Sequence, residues 1–117
     1  MASVLVADDL AYIRTLCSAI LRKHGHRVVE ASSGSEALQR YDEHRPDAVL
    51  LDLRMPEMDG LAALKQIRQL DPAARVAIVT AGSEAEVEEA LRAGARAFVL
   101  KPFNSMAVLG AVGKLLR

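Results

Sequence analysis

The sequence predicts an α/β protein with a doubly wound, five-stranded parallel sheet flanked by five helices. Short runs rich in Val, Leu and Ile alternate along the chain with longer stretches of helical spacing. Four of the five short runs are almost wholly apolar, which is typical of strands in a sheet covered on both faces. Strands that alternate with helices favour a parallel sheet with right-handed crossovers.

The predicted strands are taken first because they define the sheet. The second run is more mixed than the others, so we expect it to lie nearer an edge of the sheet. We expect the fifth run to be covered on both faces, like the first, third and fourth. In chain order the runs are 4–7, 27–29, 48–51, 76–79 and 97–100.

The helices between these strands are delimited by capping and stop signals. The first is predicted over residues 10–23, with an apolar face that includes Ile13, Leu16, Cys17 and Leu21. A Ser followed three residues later by a Glu is typical of a capping box. The signals are Gly25 after the first helix, Ser33/Glu36 before the second, Asp59–Gly60 and Asp71–Pro72 around the third, Ser83/Glu86 and Gly94 around the fourth, and Asn104 before the fifth.

Composition narrows the class of protein. A chain of 117 residues, 51% hydrophobic and 3% aromatic, predicts one domain over 1–117 with an aliphatic core. Lys plus Arg and Asp plus Glu number 15 each, so no basic excess points to nucleic acid or an anionic membrane. Cys17 is the only cysteine and is expected to be buried. Without a signal peptide or a long apolar run, we expect a cytoplasmic protein.

Polar residues follow four of the predicted strands at the point where each ends. Asp8 and Asp9 follow the first strand, Asp52 the third, Thr80 the fourth and Lys101 the fifth. Alone, each has an ordinary explanation as a cap, a strand former or a surface charge. Together they are expected to converge, because binding sites in open α/β sheets lie beyond the carboxyl ends of the strands.

The chemistry of this set points to phosphoryl transfer. Three clustered carboxylates repel one another unless a cation sits among them. Ligands that are all oxygen, with no His or Cys, suit Mg²⁺. A carboxylate such as Asp52 can attack a phosphoryl group to form an acyl phosphate. Lys101 would neutralise charge on the transferred group, and the Thr80 hydroxyl could donate a hydrogen bond to it.

These residues, in this order, resemble the receiver domain of two-component response regulators, of the chemotaxis-regulator type. The resemblance covers nearly the whole chain and implies a flavodoxin-like fold with strand order 2-1-3-4-5. The motifs that carry it are Asp8-Asp9, Asp52-Leu53-Arg54-Met55-Pro56, Met58-Asp59-Gly60, Thr80-Ala81, Ala93-Gly94-Ala95 and Lys101-Pro102-Phe103.

The resemblance implies a role for each residue of the acidic cluster. Asp52 matches the phosphoacceptor, which a histidine kinase or a histidine phosphotransfer protein would charge. Asp9 matches the direct Mg²⁺ ligand, and Asp8 the acid that acts through water. Arg54 is expected to offer its backbone carbonyl to the metal. Such a domain is not an enzyme in the ordinary sense, although it assists its own phosphorylation and dephosphorylation.

The resemblance also implies how the phosphoryl group is held and sensed. Thr80, Ala81 and Lys101 match the phosphate-binding positions, and Thr80 matches the switch hydroxyl. Phe98 matches the switch aromatic that rotates inward, although a plain core aromatic is an alternative interpretation. The bond between Lys101 and Pro102 is expected to be cis.

The output surface implied by the family is formed by the fourth helix, the fifth strand and the fifth helix. It would bind a downstream target protein or a second copy of the chain. Gly110 and Gly113 in the fifth helix fit either a close helix contact or a marginal terminal helix. Arg54 places a long cation where many family members carry a smaller or neutral residue, which leaves the lifetime of the phosphorylated form open. Gly82 fits either easier movement of Thr80 or a simple turn.

Other functions remain as alternatives. An aspartyl-nucleophile phosphatase of the haloacid-dehalogenase type would need an aspartate at the position of Arg54. A flavin-binding module would need Ser, Thr and Gly after the first strand, where Asp8 and Asp9 would repel phosphate. A degenerate receiver would lack the complete acidic set. The chain could also be the receiver of a longer regulator with a DNA-binding or enzymatic output domain.

Overall fold

The computed structural model describes residues 2–117, which form five strands and five helices in strict alternation. No helix in this part of the chain is long and apolar enough to cross a membrane. The elements are β1 (Ser3–Ala7), α1 (Ala11–Lys23), β2 (Arg27–Ala31), α2 (Gly34–His44), β3 (Ala48–Asp52), α3 (Gly60–Leu70), β4 (Val76–Thr80), α4 (Glu84–Arg92), β5 (Ala97–Leu100) and α5 (Ser105–Leu116).

All neighbouring strands pair in parallel in the order β2-β1-β3-β4-β5, which confirms the predicted fold class and strand order. The mixed second strand lies at an edge, as expected. Strand β3 lies at the centre, so its carboxyl end is surrounded by neighbours. Parallel strands all end at the same edge, and this places the residues that follow β1, β3, β4 and β5 near one another.

Two aliphatic clusters cover the sheet, one on each face. On one face, Leu5, Val49 and Ile78 pack with residues of α2, α3 and α4, including Leu64. On the other face, alternate residues of the same strands pack with residues of α1 and α5. The alternation of side chains along each strand therefore divides one continuous apolar run between two cores.

The predicted helix caps are present, but neither capping box makes its return contact. Ser33 Oγ accepts a hydrogen bond from the Glu36 N–H at 3.1 Å, and Ser83 Oγ accepts one from the Glu86 N–H at 3.3 Å. The carboxylate of a capping box normally returns to the cap residue. Here Glu36 accepts from the Ser32 N–H instead, and Glu86 turns away from its cap towards a different loop.

Two burial predictions are wrong. Strand β5 is not covered on both faces, because Phe98 is 47% and Leu100 is 53% exposed. As an edge strand, β5 buries Ala97 and Val99 in the α5 cluster, and its other face lies open. Leu16, expected on the buried face of α1, is 45% exposed. Cys17 is buried as predicted, and burial together with the nearby Asp8 raises the pKa of its thiol to about 11.

Candidate functional site

Three aspartates meet at the carboxyl edge of the sheet. Asp8 and Asp9 directly follow β1, and Asp52 is the last residue of the neighbouring strand β3. Each offers a carboxylate oxygen, and these oxygens all lie within 4.8 Å of one another. Asp8 and Asp52 are buried, whereas Asp9 is exposed. The cluster is therefore set into the edge of the sheet with one carboxylate facing solvent.

Lys101 places its ammonium among these carboxylates. Its Nζ lies 2.9 Å from Asp8 Oδ2 and 3.2 Å from Asp52 Oδ2, and the side chain is largely buried. The Lys101–Pro102 peptide bond is cis. Lys101 thus pairs with two of the three carboxylates, which leaves the cluster with an excess of negative charge that favours a further cation.

Backbone groups hold the two buried carboxylates in place. Leu10 N–H donates to Asp8 Oδ1 at 3.0 Å, and Arg54 N–H donates to Asp52 Oδ1 at 3.2 Å. Arg14 of α1 donates from Nη1 to the Asp8 carbonyl at 2.7 Å, which restrains the turn after β1. Both oxygens of Asp8 and both of Asp52 therefore have a partner within the protein.

Burial and neighbouring charges shift the pKa values of Asp52 and Lys101. Burial and the neighbouring Asp8 carboxylate raise the pKa of Asp52, against the opposing effects of the Arg54 N–H and Lys101. Burial disfavours the ammonium of Lys101, but its hydrogen bonds with Asp8 and Asp52 and their charges outweigh this effect and raise its pKa. Lys101 consequently stays a cation, and Asp52 is a less stabilised carboxylate than a surface aspartate.

The donor set fits a magnesium ion. Three clustered carboxylates provide only hard oxygen ligands, and the exposed Asp9 leaves room for the waters that Mg²⁺ retains. Imidazole and thiolate, which would favour zinc or copper, are absent from the set. The residues that would hold the metal are Asp9 and Asp52, with Asp8 beside them.

The family comparison agrees with this arrangement. The family model of the response regulator receiver domain matches residues 4–112. The chain belongs to this family. It is 45% identical over 115 residues to the chemotaxis protein CheY of Bacillus subtilis, covering 97% of this chain and 96% of that protein.

Two further relatives show the range of the family. A receiver in the CheX–CheY–BeF3–Mg²⁺ complex of Borrelia burgdorferi superposes with a TM-score of 0.94 at 34% identity, covering 98% of this chain and 89% of that one. The transcriptional regulatory protein ZraR of Escherichia coli is 45% identical over 102 residues, which are 86% of this chain and 23% of that protein. Similar receivers therefore occur as small proteins and within longer regulators.

The remaining predicted residues of the receiver lie on β4, on β5 and in the loops that follow β3 and β4. Thr80 ends β4, is fully buried, and its Oγ1 accepts a hydrogen bond from the Gly82 N–H at 2.9 Å. Ala81 follows it and is exposed. Phe98 lies on β5 opposite Ile78 and is half-exposed, so the interpretation as a plain core aromatic is wrong. The Arg54 side chain points to Glu86, with Nη2 2.9 Å from Oε1.

Sequence reasoning placed Gly60 in a helix-start signal and a family motif, but it did not predict the close backbone contacts at Gly60 and Gly34 or the role of Arg14. Gly60 opens α3 so close to β3 that an added Cβ would lie 2.0 Å from the Asp52 carbonyl oxygen. At Gly34 it would lie 1.7 Å from the Met58 carbonyl oxygen. Arg14, which holds the Asp8 carbonyl, is a charged helix residue with no distinguishing local pattern. These contacts join different elements of the fold, and their distances depend on how the elements pack.

Exposed apolar side chains gather on the face formed by α4, β5 and α5. Leu91, Phe98, Leu100 and Met106 border one shallow depression, and Met106 is 81% exposed. Large apolar side chains grouped in this way are typical of a protein-binding surface.

Proposed function

We propose that this receiver is a phosphorylation-driven switch in which Asp52 accepts a phosphoryl group from a phosphohistidine. The observation that carries the proposal is the buried Asp52 carboxylate between Asp8, Asp9 and the Lys101 ammonium. We take residues 1–117 as a single receiver domain. A histidine kinase or a histidine phosphotransfer protein would supply the phosphoryl group.

The transfer would form an acyl phosphate on Asp52. A carboxylate oxygen attacks phosphorus, the P–N bond of phosphohistidine breaks, and its electron pair returns to the imidazole, which takes up a proton. Bound Mg²⁺ would neutralise charge on the phosphoryl oxygens. Asp9 is exposed and would ligate it directly, whereas Asp8 is buried beside Lys101 and would act through water. The Arg54 backbone carbonyl would complete the ligand set.

The other residues of the site would hold the product. Lys101 already contacts Asp52 and would donate to a phosphoryl oxygen, as would the Thr80 hydroxyl after leaving the Gly82 N–H. The backbone at Ala81 would support the same group. The site would thereby assist both phosphorylation and dephosphorylation of the domain.

The output would be a change in the surface of α4, β5 and α5. A movement of Thr80 at the end of β4 would be sensed at the adjacent strand β5, where Phe98 is free to change position. A downstream target protein or a second copy of the chain would then bind the altered face.

Intact-mass analysis tests the proposal. The protein is incubated with Mg²⁺ and acetyl phosphate, and we expect a gain of one phosphoryl group. The gain should disappear in Asp52→Asn and on chelation of Mg²⁺. Asp42→Asn is the matched control, because Asp42 is an exposed aspartate on α2 paired with Arg45 and should leave the gain intact.

Two results would contradict the proposal. No phosphoryl gain with acetyl phosphate or with a phosphorylated histidine protein would exclude a phosphoacceptor. A gain that persists in Asp52→Asn would assign the acceptor to another residue.

A further inference from the structure

Arg54 and Glu86 connect the loop after β3 to the first turn of α4. Arg54 Nη2 donates to Glu86 Oε1 at 2.9 Å. Both residues line an open cavity of about 670 Å³ whose wall also includes Asp9. Within the described residues that line this cavity, Arg54 is the one basic side chain. Arg54 therefore lines the same cavity as Asp9 of the acidic cluster, and its guanidinium is engaged by a residue of α4.

Glu86 reaches Arg54 at the expense of its expected cap contact. The Glu86 N–H donates to Ser83 Oγ, but its carboxylate does not return to the cap residue as in a capping box. The carboxylate lies instead over Gly82, where an added Cβ would be 2.2 Å from Glu86 Oε2. The same Cβ would lie 3.0 Å from Thr80 Oγ1, so Glu86 occupies space beside the Thr80 hydroxyl. The missing side chain at position 82 admits this arrangement.

A phosphoryl group at Asp52 would change the competition for Arg54. It would add nearly two negative charges close to the loop that carries Arg54. Planar guanidinium groups bind phosphoryl oxygens strongly, and a dianion is a better partner than a single carboxylate. Glu86 takes one donor of the guanidinium, from Nη2. Drawing the guanidinium towards a phosphoryl oxygen would weaken that contact, so the carboxylate and the phosphoryl group would compete for the same positive charge.

We propose that Glu86 is a positioning residue that holds Arg54 on α4 and competes with the phosphoryl group for its guanidinium. The inference rests on the proposed function of Asp52. Phosphorylation would draw Arg54 from Glu86 and release the first turn of α4, which begins the output surface. Glu86 thereby lowers the affinity of the site for a phosphoryl group and couples that affinity to α4.

Fluoroberyllate, a mimic of the phosphoryl group, measures this competition without hydrolysis. Calorimetric titration in saturating Mg²⁺ gives its affinity for the unsubstituted chain and for each variant. Exposed ion pairs are weak, so we expect Glu86→Gln to tighten binding about two- to five-fold. Glu88→Gln is the matched control, since Glu88 is an exposed acid on the same helix and does not line the cavity.

Gly82→Ala separates the contact from the charge of Glu86. Its methyl group would displace the flexible Glu86 carboxylate, and φ at Gly82 lies outside the left-handed region, so the backbone accepts alanine. This variant keeps every charge, but its methyl group would also lie 3.0 Å from Thr80 Oγ1. Only a gain that requires Arg54 therefore counts: Gly82→Ala should tighten fluoroberyllate binding with Arg54 present and less so in an Arg54→Gln background. In an Arg54→Gln background, the gain from Glu86→Gln should be smaller than with Arg54 present.

The outcomes distinguish this inference from the proposed function. If the unsubstituted chain binds fluoroberyllate and neither Glu86→Gln nor Gly82→Ala binds it more tightly, the inference alone is refuted. An equal gain from Glu86→Gln with and without Arg54 would show simple repulsion and would also refute it. Failure of the unsubstituted chain to bind fluoroberyllate with Mg²⁺ would refute the proposed function and the inference with it.

Discussion

Gly60→Ala should be strongly destabilising, because the backbone at the end of β3 leaves no room for a side chain. The added Cβ would lie 2.0 Å from the Asp52 carbonyl oxygen and 2.5 Å from Leu53 Cα, where ordinary contact begins at 3.4 Å. Gly60 also donates its N–H to the Leu53 carbonyl at 2.9 Å, which ties α3 to the strand. Its φ lies outside the left-handed region, so space alone requires glycine here.

The magnitude follows from what must move. Overpacking typically costs 1–3 kcal/mol, and backbone atoms at the end of a central strand yield less than side chains do. We therefore expect Gly60→Ala to lower the free energy of unfolding by about 3 kcal/mol or more. The unfolding entropy of a chain of 117 residues is about 0.25 kcal/mol per kelvin, so Tm should fall by about 12 °C.

Gly113→Ala is the matched control, because nothing lies within 4 Å of its added Cβ in α5. Alanine favours a helix over glycine, and this variant should gain up to about 1 kcal/mol. Urea unfolding followed by far-ultraviolet circular dichroism measures both variants. If Gly60→Ala unfolds at the midpoint of the unsubstituted chain, or if Gly113→Ala is equally destabilised, the steric reasoning is wrong.

Three further predictions concern the metal, a hydrogen bond and the core. Mg²⁺ at about 100 times its Kd should raise the free energy of unfolding by about 2.7 kcal/mol, and Asp9→Asn should remove most of this gain in a thermal melt. Tyr41 Oη donates to Asp71 Oδ2 at 2.7 Å, and this bond is the main cause that lowers the pKa of Asp71. A carboxyl group whose pKa is lowered by folding stabilises the fold above about pH 4, and this stabilisation is lost as the pH falls and the group is protonated. Tyr41→Phe should therefore lower the urea midpoint at pH 7, and lower it progressively less below pH 4. Leu64→Ala should lower the free energy of unfolding by about 2–5 kcal/mol because Leu64 is fully buried. Phe98→Ala should lower it clearly less because Phe98 is half-exposed. Equal losses of unfolding free energy in urea would contradict the burial of these two side chains.

The fold could be predicted because local signals agree with one another along the whole chain. Apolar runs at a fixed alternation with helices define a parallel sheet, and caps such as Ser33 and Asn104 open the helices where they were expected. The error at β5 has a physical cause. Apolar content predicts burial on both faces of a strand, but it does not distinguish a face covered by a helix from one left exposed, as at Phe98 and Leu100.

The convergence of the site was also predictable, although its contacts were not. In a parallel sheet every strand ends at the same edge, so Asp8, Asp52 and Lys101 had to meet once the strands were assigned. Sequence order could not say that Glu86 would leave its capping position for Arg54, 32 positions away. Side-chain direction at such a site depends on neighbours brought by other elements.

The sequence by itself determined the order of the elements, the edge at which the polar residues gather and the oxygen chemistry of the cluster, because periodicity, capping and strand ends are local properties. The tertiary structure decided which carboxylates Lys101 contacts, how closely Gly60 approaches Asp52, and which partner holds Arg54. Those features depend on distances between different elements of the fold, and packing of the whole sheet and its helices sets those distances.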